Sequence, residues 1–319
     1  LVLTALLMPV LGFNAAQLET MIVAAPMLER EIGPAPLVGR LLRTETLPDG
    51  ARLTLKQVQI KRLAPERTPN MVRVKVKQPV TEIPPAGSMI SLFAQVGPPS
   101  EPVTPEAYDF RRHSFFMGLG GIGWARGEIR AADEGPPLSW WDQFDLWFEH
   151  LRQAITARVT AQLTGDGGAM TAALLNGEQT GIAKPVMDAM RVSGLSHLLS
   201  ISGIHVSMMG LLVYFPLRAL LALIPWVALR FPIKKWSAIA AIAATILYML
   251  LVGAEAPTLR STLMTGIMMF AIVADRRALS MRLIMLTAVA VMLFQPDSVM
   301  GASFQMSFAA VLALIAVYE

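Results

Sequence analysis

The stretch GLSHLLSISGIHV, residues 194–206, interrupts an apolar segment with serine, glycine and histidine. A helix required only to sit in lipid would carry Leu, Ile and Val throughout. Here Ser196, Ser200, Gly203, Ser207 and Gly210 recur at alternating steps of four and three. That spacing predicts one helix with a face of small residues, along which a second backbone can approach closely. Polar atoms facing lipid cost free energy, so this face should look into protein or a wet pathway. Close helix packing and the lining of a transport path both fit the pattern.

The rest of the chain extends the membrane reading. Of its 319 residues, 54% are apolar and 16% charged, against about 25% charged in a typical soluble domain; mean hydropathy is +0.51. Cysteine is absent, which excludes a disulfide framework and a thiolate metal site. His113, His150, His197 and His205 form neither a His-x-His nor a His-Glu-x-x-His pattern, so no zinc hydrolase is encoded and no metal or cofactor is expected. The chain opens inside the apolar run LVLTALLMPVLGF and ends directly after SFAAVLALIAVY. Both ends are expected to continue in a longer protein.

Working outward, residues 1–18 read as the end of a membrane helix. From 30 to 132 the pattern changes to short alternating runs. Val72, Val74 and Val76 alternate with Arg73, Lys75 and Lys77, while Leu53-Thr-Leu55 and Val58-Gln-Ile60 alternate with a parity slip that suggests a bulge. The turn LPDG at 47–50 and the proline-rich stretch near Glu82 separate candidate strands. Four or five such strands suggest an OB-like β-barrel, with a small sandwich as the alternative. Residues 133–193 hold a tryptophan-rich amphipathic helix at 140–163 and then short helices. Trp141, Phe144, Phe148, Leu151, Ile155, Val159 and Leu163 share one side of that helix, which fits either the membrane interface or packing on the barrel.

Residues 194–319 contain apolar segments at 198–224, 236–252, 259–274, 283–294 and 304–318. Basic loops carry Arg230, Lys234 and Lys235, and Arg276, Arg277 and Arg282, whereas 253–257 and 295–303 lack Lys and Arg. The positive-inside rule puts both basic loops in the cytoplasm and the β-domain outside. The start of the Ser/Gly/His run, the Glu255 loop and the 295–305 loop should then emerge on one outer face. The fold class expected is an α+β membrane protein, an OB-like barrel outside the membrane joined to a polytopic helical bundle.

Two sets of residues could carry function. Thr258, Ser261, Thr262 and Thr265 occupy one helical side, and Arg260 either pairs with Glu255 or lies near the boundary, because a charge at the bilayer centre costs about 2.5–3.5 kcal/mol. Gln305 and Ser307 sit just inside the last segment. In the β-domain, eight basic residues and a single acid, Glu66, fall between Arg52 and Lys77. Such a strand face suits a phosphate backbone, anionic lipid or plain solvation. Tyr108, Phe110, Phe115, Phe116 and Trp124 could stack on bases, though small barrels more often use aromatics as core. GDGG at 165–168 lacks the Lys-Ser/Thr of a phosphate loop. Ser202 with His205 would serve a membrane-embedded hydrolase or transferase acting on a lipid or cell-wall precursor.

SGLSHLLSISGIHV (193–206) resembles the most recognisable segment of the ComEC family of competence proteins, inner-membrane channels that take up DNA in natural transformation. LLNGEQTG (174–181), EAPTLRSTLM (255–264), SFQMSFAAV (303–311) and PEAYDFRRHSFFMGLGGIGW (105–124) are similar to further family segments, in the family's order. The resemblance implies an N-terminal membrane hairpin, an OB-like domain, a multi-helix channel and often a C-terminal nuclease, whose metal-binding histidine pattern this chain lacks. On that basis, the channel is expected to be lined by Ser200, Ser202, Gly203, His205, Thr258, Arg260 and Gln305, with no catalytic residue. DNA is expected on Arg52, Lys56, Arg73, Lys75 and Lys77. The implied partners are single-stranded DNA, membrane lipids, DNA-delivery proteins outside and a cytoplasmic helicase or motor; self-association as a homo-oligomer is left open. A small-solute transporter with a lipid-binding β-domain is the third reading.

Overall fold

Alternating apolar residues between Ile32 and Ala131 build five strands: β1 (Ile32–Leu47), β2 (Gly50–Ile60), β3 (Met71–Val76), β4 (Met89–Gly97) and β5 (Leu119–Ala131). They close into a barrel in the order β1-β2-β3-β5-β4, antiparallel at every pairing except the parallel β3–β5. The structure is a computed structural model describing residues 2–318 apart from 48, 62, 79–81, 106, 134, 180, 255 and 277–279. Glu255 and Arg277, named above, and Arg62, one of the eight basic residues between Arg52 and Lys77, therefore lie outside the described residues.

Inside the barrel, Leu37, Leu41, Leu53, Leu55, Val72, Val74, Ile90 and Val96 are almost wholly removed from solvent. Each contributes roughly 1.5–3 kcal/mol of transfer free energy. The parity slip in β2 is a register shift opposite Val38–Arg40, and there Gln57 takes a φ of 54°. The extra residue moves Val58 back to the core face after Lys56 and Gln57.

The chain divides into two compact units, and the barrel belongs to the one comprising Thr20–Ala172 and Glu178–Leu195. This unit includes α2 (Phe110–Phe116), α3 (Trp140–Gln162), most of α4 (Asp166–Asn176) and α5 (Lys184–Val192). Helix α3 forms where its spacing predicts, capped by Ser139 Oγ, which accepts from the Trp141 N–H at 3.3 Å. Its inward side carries charge beside Leu146 and Phe148. Asp142, Leu146, Phe148, Glu149 and Arg152 face inward, while Trp140, Trp141, Phe144 and Trp147 are exposed. The inward charges are paired, Asp142 with Lys56 and Glu149 with Arg152, which makes their burial tolerable.

The second unit, Leu1–Glu19, Ala173–Gly177 and Ser196–Glu319, is helical. It contains most of α1 (Val2–Val23), then α6 (Ser196–Leu199), α7 (Gly203–Ala222), α8 (Pro225–Arg230), α9 (Ile233–Val252), α10 (Ala256–Val273), α11 (Met281–Phe294) and α12 (Ala302–Tyr318). Among the described residues, α7 and α9 are long and apolar enough to cross a membrane; the apolar helices at 257–273, 281–294 and 302–317 are shorter. The single helix expected through Ser196–Gly210 is broken. α6 ends at Leu199, and α7 starts at Gly203 with Ser202 as its N-cap residue. Serine competes for backbone hydrogen bonds in a helix interior and favours caps, so a serine-rich run divides here.

Candidate functional site

Helix α10 is apolar by composition, yet its buried residues include Thr258, Arg260, Ser261, Thr262 and Thr265. The Ser261 hydroxyl donates a hydrogen bond to the Pro257 carbonyl at 2.8 Å, satisfying itself within the helix. Arg260, only 6% exposed, donates from Nη2 to Ser303 Oγ at 2.9 Å. Among the described residues it forms no ion pair. A guanidinium carries five donors, and a neutral hydroxyl on α12 takes one of them.

The start of α7 comes to the same place. A Cβ built on Gly203 would stand 3.2 Å from Ser261 Oγ, so absence of a side chain brings α7 against α10. Gly203, Ser261, Arg260 and Ser303 thus link the first turns of α7, α10 and α12. Thr258 is buried in this region of α10, and Ser200 and Ser202 are half-buried before α7. Gln305 is exposed and donates to the Val299 carbonyl at 3.4 Å. Ser303, the partner of Arg260, had been only one of several polar residues in its segment. Forty-three positions separate the pair, beyond the reach of any helical periodicity.

Ser202 and His205 do touch, with Oγ and Nδ1 3.3 Å apart. The same Nδ1 also accepts the Ser202 backbone N–H at 3.3 Å. That backbone bond makes His205 part of the helix cap, occupying the nitrogen that a general base would need for the hydroxyl proton.

On the barrel, the predicted basic residues lie on strands as expected, but several are already neutralised. Arg52 pairs with Glu45 at 3.0 Å, Lys75 with Asp49 at 3.0 Å, and Lys56 with Asp142. The Lys75 ammonium holds the Asp49 carboxyl below its ordinary range. Arg73 is half-buried on β3, and Lys77 is exposed at its end. The neutralising acids lie outside the Arg52–Lys77 interval, which is why a local charge count overstates the field. A groove of about 670 Å³ beside Lys56, Gln57, Gln59, Lys61, Pro65 and Asn70 opens on the same unit. The outer sheet face also holds exposed Phe93, Trp124, Arg126 and Arg130; of these the sequence singles out only Trp124, as a base-stacking or core aromatic.

Residues 174–319 match the family model described as Competence protein. Over 151 residues the chain is 39% identical to Competence protein ComA of Neisseria gonorrhoeae, an alignment covering 47% of this chain and 21% of that protein. Over 230 residues it is 26% identical to ComE operon protein 3 of Bacillus subtilis (strain 168), covering 72% of this chain and 27% of that protein. The matched region spans about a fifth to a quarter of these relatives' length. No solved structure matches the chain.

Proposed function

The chain belongs to the ComEC family of competence proteins, and from that premise we propose that it is part of an inner-membrane channel. The channel carries single-stranded DNA into the cytoplasm during natural transformation, and the barrel holds the incoming strand outside. The observation that carries this reading is Arg260. An arginine at the centre of a membrane helix costs about 2.5–3.5 kcal/mol; this one lies buried in the first turns of α10, and among the described residues it meets a serine rather than an acid. Its guanidinium, in no ion pair among the described residues, lies where the first turns of α7, α10 and α12 add the positive ends of their dipoles. Such a site favours a passing anion. Hydroxyls of Thr258 and Ser303 replace part of its water. The barrel's strand order, with one parallel pair between β3 and β5, supports the OB-like assignment. DNA-delivery proteins outside, a cytoplasmic motor and the surrounding lipids are the partners this function requires.

Labelled duplex DNA is followed in cells deleted for the gene and complemented with the full-length wild type, Arg260→Ala or Ser202→Ala at matched membrane abundance. The deletion and Arg260→Ala strains should stall DNA outside the cytoplasm. Ser202→Ala should import it, because His205 Nδ1 still accepts the residue-202 backbone N–H and a lost cap costs about 1 kcal/mol. Import by the deletion strain in a competent host would overturn the uptake role. Import by Arg260→Ala would remove that residue from the path, and loss through Ser202→Ala alone would bring the hydrolase reading forward.

A further inference from the structure

Resting on the reading that the barrel binds DNA, we propose that the outer face of β4–β5–β3 is a base-stacking platform for one DNA strand. Trp124 and Phe93 supply the stacking surfaces and Arg126 the charge between them. The barrel core is wholly aliphatic, and these two rings are kept out of it, 50% and 46% exposed respectively. Strand register sets them side by side. Trp124 on β5 stands between Gln95 of β4 and Lys75 of β3, and Phe93 of β4 stands opposite Arg126. Trp124 and Arg126 are two positions apart on β5, so the Trp124 and Phe93 rings are diagonal neighbours, roughly 7–8 Å apart at the backbone. The Arg126 guanidinium lies 5.5 Å from the Trp124 ring centroid, which orients that ring and puts a cation beside it.

Charge on this face differs from charge on β2. Lys77, Arg126 and Arg130 are exposed and form no ion pair among the described residues. The nearby acids are Asp49, held by Lys75; Glu31, which accepts from Gln95 Nε2 at 2.7 Å; and Glu128, exposed on β5. From Trp124 to Arg130, β5 carries one ring, two exposed cations and the exposed Glu128, and its register against β4 shifts between Arg126, opposite Phe93, and Arg130, opposite Ser91. Base–aromatic stacking is tolerant of sequence, and phosphates supply the rest of the affinity. Among the described residues, the groove beside Lys56 and Lys61 has no aromatic ring in its lining. A lipid-facing patch would be contiguous and apolar, whereas Gln95 and Arg126 pair with these rings and Ser91 and Lys75 flank them.

The intact membrane protein in phosphatidylcholine nanodiscs is titrated into a labelled oligo-dT and into an abasic oligomer of the same length. Wild type should prefer oligo-dT. Trp124→Ala with Phe93→Ala should weaken oligo-dT binding about tenfold or more and leave the abasic oligomer unchanged; Trp124→Phe should keep most of the preference. Arg126→Gln should weaken both and flatten the salt dependence. Equal binding of both oligomers by wild type, or unchanged oligo-dT binding in the double variant, would overturn the platform while leaving DNA binding in place. Binding of neither oligomer by wild type would overturn the DNA-binding reading itself. A double variant that lost only anionic-vesicle binding would make this face a lipid contact.

Discussion

Gly210 marks a close approach among the apolar helices. A Cβ there would meet Thr245 Cγ2 of α9 at 3.1 Å and Thr265 Cγ2 of α10 at 3.2 Å. Small residues let backbones approach and gain dispersion contacts, which drive helix association where lipid competes equally for apolar surface. Gly210→Ala needs the two threonine methyls to yield by a few tenths of an ångström. Gly210→Leu cannot be fitted that way and should cost about 1–3 kcal/mol through overpacking, read as a lower melting temperature of the detergent-solubilised protein, with Gly210→Ala between it and wild type. The spacing of Gly203 and Gly210 was legible because it depends only on helical periodicity. Arg260 with Ser303 was not, since that bond depends on where α12 falls relative to α10.

Strands β1 to β5 and helix α3 were legible as elements because alternation and 3.6-residue spacing are local properties. The orientation of α3 was not. Its spacing defines two faces but does not say which one the barrel accepts, and the barrel offers Lys56 to Asp142. Glu149 accepts from Arg152 and from Gln153 Nε2, the latter at 3.0 Å, so its carboxylate is fully engaged although only 4% exposed. Burial pushes the Arg152 guanidinium below its ordinary value, and Glu149 opposes that shift. Removing one partner leaves a charge uncompensated, whereas removing both does not. Arg152→Leu should therefore destabilise the protein by about 3–5 kcal/mol. Glu149→Leu added to Arg152→Leu should recover most of that loss in the same thermal or denaturant unfolding series. If the double variant is as unstable as the single, the pair is holding α3 by hydrogen bonds rather than merely neutralising itself.

Across the helical unit, polar chemistry is separated by end. At one end Lys235 at the start of α9 pairs with Asp275 just after α10, which sets the two basic loops beside each other. At the other end of α10, Arg260 reaches Ser303. The 20 residues of α9 rise about 30 Å, the thickness of a bilayer's hydrocarbon core. If the unit spans the membrane, the two ends face opposite compartments, and the basic end should be cytoplasmic. The absence of cysteine from this chain makes single-cysteine labelling with an impermeant maleimide clean here, on a full-length background cleared of other cysteines. Lys234→Cys and Arg282→Cys should react only after permeabilisation, and Ser298→Cys in intact spheroplasts. α11 is the discriminating element, because its 14 residues rise only about 21 Å and can cross only where the bilayer thins or neighbours shield its ends. Labelling of Ser298→Cys from the same side as Arg282→Cys would make α11 a re-entrant helix. Arg260 and Ser303 would then meet part-way through the membrane rather than at its outer mouth, which would turn the anion site from an entrance into a constriction.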